Sequence, residues 1–392
     1  MDKAREILKK NTMLIALIIV TIFFAIGTGG TLLFPQNVTN LIAQNGYVVV
    51  LAVGMLLCIL TGGNIDLSIG SIVALVGALA GKLMVTNKMN IWVSMLICLL
   101  VGLLIGVWQG FWIAYIRIPA FIVTLSSMLL WRGVALIILD GLTISPYPAN
   151  YLKLFNSYIP DIAAGKVGLF GDPVNLTSIA IGVIVCAIYI LSQYMMRIRK
   201  SRKGYDQEKI GVAIGRMAVI CAVVMALALS LAKHKGIPTI LVLLGVVVMI
   251  YSYYTQKTVP GRYLYAMGGN EKAAKLSGIN TNLVLFTSYV NMSFLSALAA
   301  LMCVARFNSA APTAGQNYEL DAIGACYIGG ASAYGGIGTV GGVVIGAIFM
   351  GVLNNGMSIM SVDMNKQKVV KGLVLLAAVA FDVISKKRSR AE

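Results

Sequence analysis

Acidic residues and histidine are scarce in this sequence: Asp and Glu number 14 and His 1 in 392 residues. That leaves little for general acid–base work, and no cluster of His and carboxylates exists to hold a metal ion. Charged residues of both signs make up 11%, where a soluble domain carries about 25%. With 59% hydrophobic residues and a mean hydropathy of +0.87, the chain reads as an integral membrane protein. The motifs GxxxxGK[ST], HExxH and GxSxG are missing, which argues against ATP binding through a P-loop and against a catalytic role. Cysteine pairs are missing too. Cys58, Cys98, Cys186, Cys221, Cys303 and Cys326 all lie in apolar stretches without a CxxC spacing, so they read as small buried hydrophobes rather than disulfides or metal ligands. No stretch has the composition of a soluble domain. The longest polar segment, about 141–174, holds too little apolar material for its own core, which predicts one membrane domain over 1–392.

What is present is length of apolar run. A membrane-crossing helix needs about 20 apolar residues, and candidates fall at Met13–Phe34, Asn45–Leu60, Leu67–Met84, Ile91–Tyr115, Pro119–Leu139, Leu176–Met196, Met217–Ala232, Ile237–Tyr254 and Leu283–Val304. A short apolar piece at Asp321–Gly330, a glycine-rich span at Val340–Met360 and a last span at Val369–Ile384 follow. The first run lacks a small-x-small cleavage site and is expected to be a retained anchor. The fold class expected is all-α and polytopic, with about 10–12 transmembrane helices. Twelve is preferred, with three crossings after Arg306.

The net charge of +17 would suggest nucleic acid in a soluble protein, but here it sorts by side of the membrane. The N-terminus, the turn at Arg117, 197–216, 257–275 and the C-terminus carry 20 of the 31 basic residues, and the alternating loops carry 10. Both termini are therefore expected in the cytoplasm.

Glycines are clustered. Gly102, Gly106 and Gly110 fall at one helical spacing and Gly338, Gly342 and Gly346 at another, a pattern that lets membrane helices approach closely within a chain or across a dimer. Between them, GGASAYGGIGTVGG is too glycine-dense for one helix and predicts a break lining a cavity.

The segment 258–280, TVPGRYLYAMGGNEKAAKLSGIN, is a polar island. Asn270 is placed to cap a short helix, Glu271 and Lys275 suit its two dipole ends, and Gly278 suits a left-handed stop. Ala273, Ala274 and Leu276 give it a small apolar face. The island reads as a peg gripped from the cytoplasm.

Two charges lie inside spans, Asp66 and Arg132, each costing about 2.5–3.5 kcal/mol at the bilayer centre. Two readings stay open. In one, Asp66 caps a half-helix with Asn64 and Ser68, and Arg132 snorkels or bonds backbone carbonyls. In the other, both face a pore or pair to fix gate helices. Glu319 and Asp321 sit at an outer boundary, where they either cap the short apolar piece or dock an outside partner. Asn291, Asn354 and Asn355 are either interhelical hydrogen bonds or pathway ligands.

The stretches NIDLSIGSIVALVGALAG, IPAFIVTLSSMLLWRG, GRYLYAMGGNEKAAKLSGIN and ELDAIGACYIGGASAYGGIGTVGG, in that order, resemble the permease subunits of bacterial monosaccharide ABC importers. These include the ribose, galactose, xylose and multiple-sugar permeases, in a superfamily shared with branched-chain amino acid permeases. The extra basic loop and span at about 196–235 resemble the xylose and multiple-monosaccharide branch. The resemblance implies a homodimeric permease in the bacterial inner membrane, carrying xylose, galactose, glucose or a similar sugar. It implies a separate ATP-binding subunit, typically with two fused nucleotide-binding halves, which binds the ATP and Mg; no cofactor belongs to this chain. It also implies an extracytoplasmic sugar-binding protein, and a coupling segment formed by Gly269, Asn270, Glu271, Ala274, Leu276, Ser277 and Gly278. The path contains no concentration of Asp, Asn, Arg and Trp such as a tight sugar site needs, so selectivity is expected to reside in the binding protein. Another small polar cargo, such as a nucleoside or a signalling furanose, is the alternative within the family. An ion-coupled carrier would favour internal symmetry and matched intramembrane carboxylates; the chain offers one deep Asp and no convincing repeat.

Overall fold

The computed structural model describes residues 12–162, 168–169, 172–202 and 210–391. The helices are α1 (Thr12–Gly27), α2 (Pro35–Leu60), α3 (Ile69–Gly81, prolonged by a π-helical turn to Thr86), α4 (Ile91–Ala114), α5 (Ala120–Leu139), α6 (Ala149–Asn156), α7 (Leu176–Arg202) and α8 (Ile210–Ala232). They continue with α9 (Thr239–Lys257), α10 (Val259–Gly269), α11 (Glu271–Leu276), α12 (Thr281–Phe307), α13 (Tyr318–Ile328), α14 (Val340–Ile359) and α15 (Met364–Ala391). Two-residue strands, β1 (Gly168–Leu169) and β2 (Asp172–Pro173), form an antiparallel pair. Among the described residues nine helices are long and apolar enough to cross a membrane. The chain is a polytopic helical membrane protein.

Helix boundaries follow local chemistry. The first apolar run stops being α-helical at Gly27, because Gly29 and Gly30 take positive φ. The next helix starts at Pro35 rather than the expected Asn45; proline's missing N–H costs nothing in a first turn. Helix α8 likewise starts at Ile210, before the expected Met217. Side-chain caps begin α4 (Asn90 accepting from Trp92 N, 2.9 Å), α12 (Asn280 from Leu283 N, 3.0 Å) and α14 (Thr339 from Gly342 N, 3.1 Å).

Contacts sort the chain into two compact units. One comprises Met1–Leu32, Ala43–Asn156 and Ile240–Glu392; the other comprises Leu33–Ile42 and Ser157–Thr239.

In the larger unit, α4 packs on α12 through the first glycine stripe. A Cβ on Gly106 would stand 2.7 Å from Val290 Cα, and one on Gly110 would stand 2.9 Å from Phe286 Cδ2. This stripe therefore serves packing within the chain. In the second stripe Gly342 and Gly346 bring α14 onto the backbone of α13 at Gly329 and Ala325. Gly338 does not share their helix. It lies in the preceding loop at φ +152°, against Leu56 and Ala331. The expected break is present: residues 329–339 form a loop between α13 and α14 in which Gly330, Gly335, Gly336 and Gly338 all take positive φ.

Two ends of this unit are defined by contacts. At one, Arg117 pairs with Glu271, Gly336 N bonds Leu60 O, and Ala333 N bonds Asp382 of α15. Met13 of α1 also lies there, against Gly330. At the other, Ile144 bridges Ala310, Tyr147 N bonds Asn308 Oδ1 (2.8 Å), and Met360 meets Gly27. After Arg306 the chain returns through α13, goes out along α14 and comes back along α15. That makes three traverses, and the start of α1 and Asp382 near the end of α15 share the end that carries the island.

The smaller unit is built on an antiparallel hairpin of α7 and α8. The helices touch where Gly182 faces Ala228, and Asn175 N bonds Ala232 O (3.0 Å).

Candidate functional site

The island folds as two short helices, α10 and α11, joined at Asn270. Thr258 caps α10, accepting from Gly261 N (3.1 Å), with Pro260 in its first turn. Asn270 ends α10 and caps α11, accepting from Ala273 N (3.0 Å). The C-terminus closes as the sequence predicts. Gly278 takes φ +84°, its N–H donates to Lys275 O (3.0 Å), and Ile279 N donates to Ala274 O (3.1 Å). Those two bonds form a Schellman stop.

The apolar face is split. Ala274 is buried beneath the helix, whereas Leu276 is 90% exposed. An exposed leucine on a fully capped single turn is a knob that nothing among the described residues covers. Gly269, Asn270, Glu271, Ser277 and Gly278 are likewise exposed.

Arg117 ties the knob to the body. It donates to Glu271 (2.7 Å), to Thr281 Oγ1 (3.1 Å) and to Asn282 Oδ1. Arg117 sits at φ +63°, a conformation non-glycine residues hold only where surroundings enforce it; its bonds to α11 and α12 supply that enforcement. A second tether runs through α10. Tyr265 OH donates to Gly338 O (2.9 Å), and a Cβ on Gly268 would clash with Leu60 O and stand 2.9 Å from Gly336 Cα. The end of α2, the glycine loop and the island thus meet backbone to backbone.

Beyond Leu60 the chain is non-helical to Ile69, and Asp66 lies there wholly buried. Asp66 Oδ1 accepts from Ser68 N (2.8 Å) and Ser68 Oγ (2.6 Å); Gln109 Nε2 donates to Ser68 Oγ (2.5 Å) and Ser293 Oγ donates to Gln109 Oε1 (3.3 Å). Asn64 donates to its neighbour Thr61 (3.2 Å to Oγ1). Arg132 donates to Ala314 O, so Asp66 and Arg132 make no pair with each other. Glu319 is half-buried beside Gly70, its carboxylate 2.6 Å from where a Cβ would stand.

Asp321 is 3% exposed. It pairs with Lys371 (2.9 Å) and lies 3.5 Å from Asn354 Nδ2. That placement removes it from any surface an outside partner could reach and corrects its expected docking role. Asn291 accepts from Tyr251 OH (2.9 Å), an interhelical bond between α9 and α12. Asn355 is buried. A cavity of about 310 Å³ opens beside the Arg132 contact, lined by Val73, Val304, Phe307, Thr313, Ala314 and Tyr318.

Three side chains were missed as site residues. Lys371 was not singled out, although it lies within the expected span Val369–Ile384 and sits in an apolar run of α15. Gln109 is the lone polar side chain between Gly106 and Gly110. Arg117 counted only as a basic turn residue. Among the described residues no group of His, Cys, Asp and Glu could hold a metal ion.

Long apolar helices, a capped exposed knob and a buried polar chain at a helix break mark the chain as an integral membrane protein. The chain belongs to the family described as branched-chain amino acid transport system / permease component, whose model matches residues 37–154 and 162–379. It is 36% identical over 376 residues to the xylose transport system permease protein XylH of Haemophilus influenzae, covering 96% of each chain. It is 36% identical to XylH of Escherichia coli, covering 96% of this chain and 92% of the relative. The ribose import permease protein RbsC of Escherichia coli is 33% identical over 347 residues, covering 88% of this chain and 85% of the relative. No solved structure matches. The chain is a multi-pass, non-catalytic permease component of a transport system in the inner membrane.

Proposed function

We propose that this chain is the permease subunit of an ATP-driven importer that passes a monosaccharide, xylose or a similar sugar, into the cytoplasm as a homodimer. The carrying observation is α11: capped at both ends, tethered through Arg117 and Tyr265, and presenting Leu276 to solvent. A separate ATP-binding subunit, with two fused nucleotide-binding halves and its own ATP and Mg, grips Leu276 together with Gly269, Asn270, Glu271, Ser277 and Gly278. The island end, with both termini, faces the cytoplasm. An extracytoplasmic sugar-binding protein delivers cargo at the opposite end, with Glu319 as a candidate contact.

Motion of the knob reaches the helix break at 61–68 through the backbone contact of Gly268 with Leu60 and Gly336. A two-state gate responds to a partner only as far as that partner binds the two states differently, and a rigid backbone contact provides the necessary link. Asn64, Asp66, Ser68 and Arg132, with Asn354 and Asn355, line or brace the pathway; Asn291 braces α9 on α12. The apolar walls of the 310 Å³ cavity suit a conduit of low affinity.

Leu276→Asp tests this. In proteoliposomes holding the full assembly, uptake of labelled xylose should fall at least tenfold while the melting temperature stays unchanged. Undiminished uptake would refute the role of α11. Uptake of a nucleoside but no sugar would leave the coupling scheme standing and overturn the cargo.

A further inference from the structure

We propose that the hairpin of α7 and α8 binds an anionic phospholipid at its basic end. The two helices pack along one another. They touch at Gly182 and Ala228, where a Cβ on the glycine would be 2.7 Å from the alanine Cβ, and Cys186 Sγ still lies 3.8 Å from Cys221 O one turn along. Toward the other end they part around a cavity of about 470 Å³. Its walls are one stripe of each helix at helical spacing: Ile190, Tyr194 and Arg197 with Lys200 on α7, and Ile210, Ile214 and Met217 with Arg216 on α8.

The cleft combines apolar walls with three basic side chains. Tyr194 and Ile210 are 62% and 64% exposed. Arg197 and Lys200 lie toward the basic end of α7, Arg216 lines the cleft farther in beside Met217, and among the described lining residues none is acidic. Arg197 and Arg216 are engaged in interactions of their own, but each guanidinium carries five donors, enough to hold its place and still meet a phosphate. An apolar slot lined in part by cations, in a helix pair flanked by lipid, matches a phospholipid with a net negative headgroup. The acyl chain lies along Ile190, Ile214 and Met217, and the phosphate meets the basic side chains. Basic pockets between membrane helices are known takers of such headgroups. Free phosphate would leave the apolar walls unfilled.

The test uses the purified full-length chain in nanodiscs of phosphatidylglycerol and phosphatidylcholine at equal amounts. Native mass spectrometry reads the lipid retained after delipidation. Each cation near an anionic surface changes affinity about fivefold, so Arg197→Gln, Lys200→Gln and Arg216→Gln together should lower phosphatidylglycerol retention on the order of 100-fold. Phosphatidylcholine retention should not change. Ile190→Trp, which fills the slot and leaves every charge, should also release the lipid. It decides the matter if the triple variant fails to fold. Millimolar inorganic phosphate should not displace the lipid. Equal retention by wild type and Ile190→Trp would overturn the proposal. So would displacement by phosphate alone, or a triple variant that keeps its lipid but loses an ATP-binding partner.

Discussion

Lys371→Met should destabilise the chain far more than a surface lysine would, because its ammonium is the counter-charge of a buried carboxylate. The Asp321 side chain is 4% exposed and that of Lys371 18%, at 2.9 Å. Removing one member of a buried pair costs about 3–5 kcal/mol, since the remaining charge is left uncompensated. The partial exposure of Lys371 and the nearby Asn354 amide put the expected value near the lower bound, about 3 kcal/mol. Asp321→Leu with Lys371→Met removes both charges and should recover most of that loss, because an apolar replacement of a buried pair is often neutral. Unfolding in mixed micelles, followed by circular dichroism for wild type, both single variants and the double variant, yields the coupling energy directly. A coupling of about 2 kcal/mol or more supports the reading that this pair clamps α15 to α13. Single variants each costing under about 1 kcal/mol, and adding in the double, would refute it.

Two shorter predictions follow from packing and from the tether. Gly106→Val should cost about 3 kcal/mol or more, the upper end for overpacking, because the clash is with the α12 backbone, which cannot swing away; Gly133→Val, with nothing within 4 Å, is the control and should lose far less in the same unfolding assay. Arg117→Ala should change stability by no more than about 1 kcal/mol, as befits a pair whose side chains are 40% and 45% exposed. It should nevertheless cut ATP-dependent uptake several-fold at unchanged expression, and normal uptake would remove Arg117 from the coupling path.

Much of the fold was legible because bilayer crossing demands long apolar runs, and the sequence shows them at nearly every helix. The break at 329–339 was legible from glycine density, and both caps of α11 could be read from Asn270 and Gly278. The start of α2 was not, because PQNVTN is polar and hydropathy passes over it, although Pro35 is a proper helix start. Spacing alone put Gly338 on the α14 face, but the positive φ at that residue keeps it outside the helix. The Asp321–Lys371 pair was hidden because its members are 50 residues apart in sequence. Only the return of α15 against α13 brings them together. Pairing of Asp66 with Arg132 was a natural reading of two intramembrane charges. Each instead finds a nearer partner, a serine and a carbonyl.

The most direct test places a cysteine at the knob. Leu276→Cys should be introduced into a cysteine-free background, since Cys186 and Cys221 are only half-buried. In membranes carrying the full assembly it should cross-link to the ATP-binding subunit, with a yield that changes on adding nucleotide. An impermeant thiol reagent should reach it from the cytoplasmic face alone. Labelling from the outer face, or sugar accumulation by vesicles containing this chain without any nucleotide-hydrolysing subunit, would contradict the account.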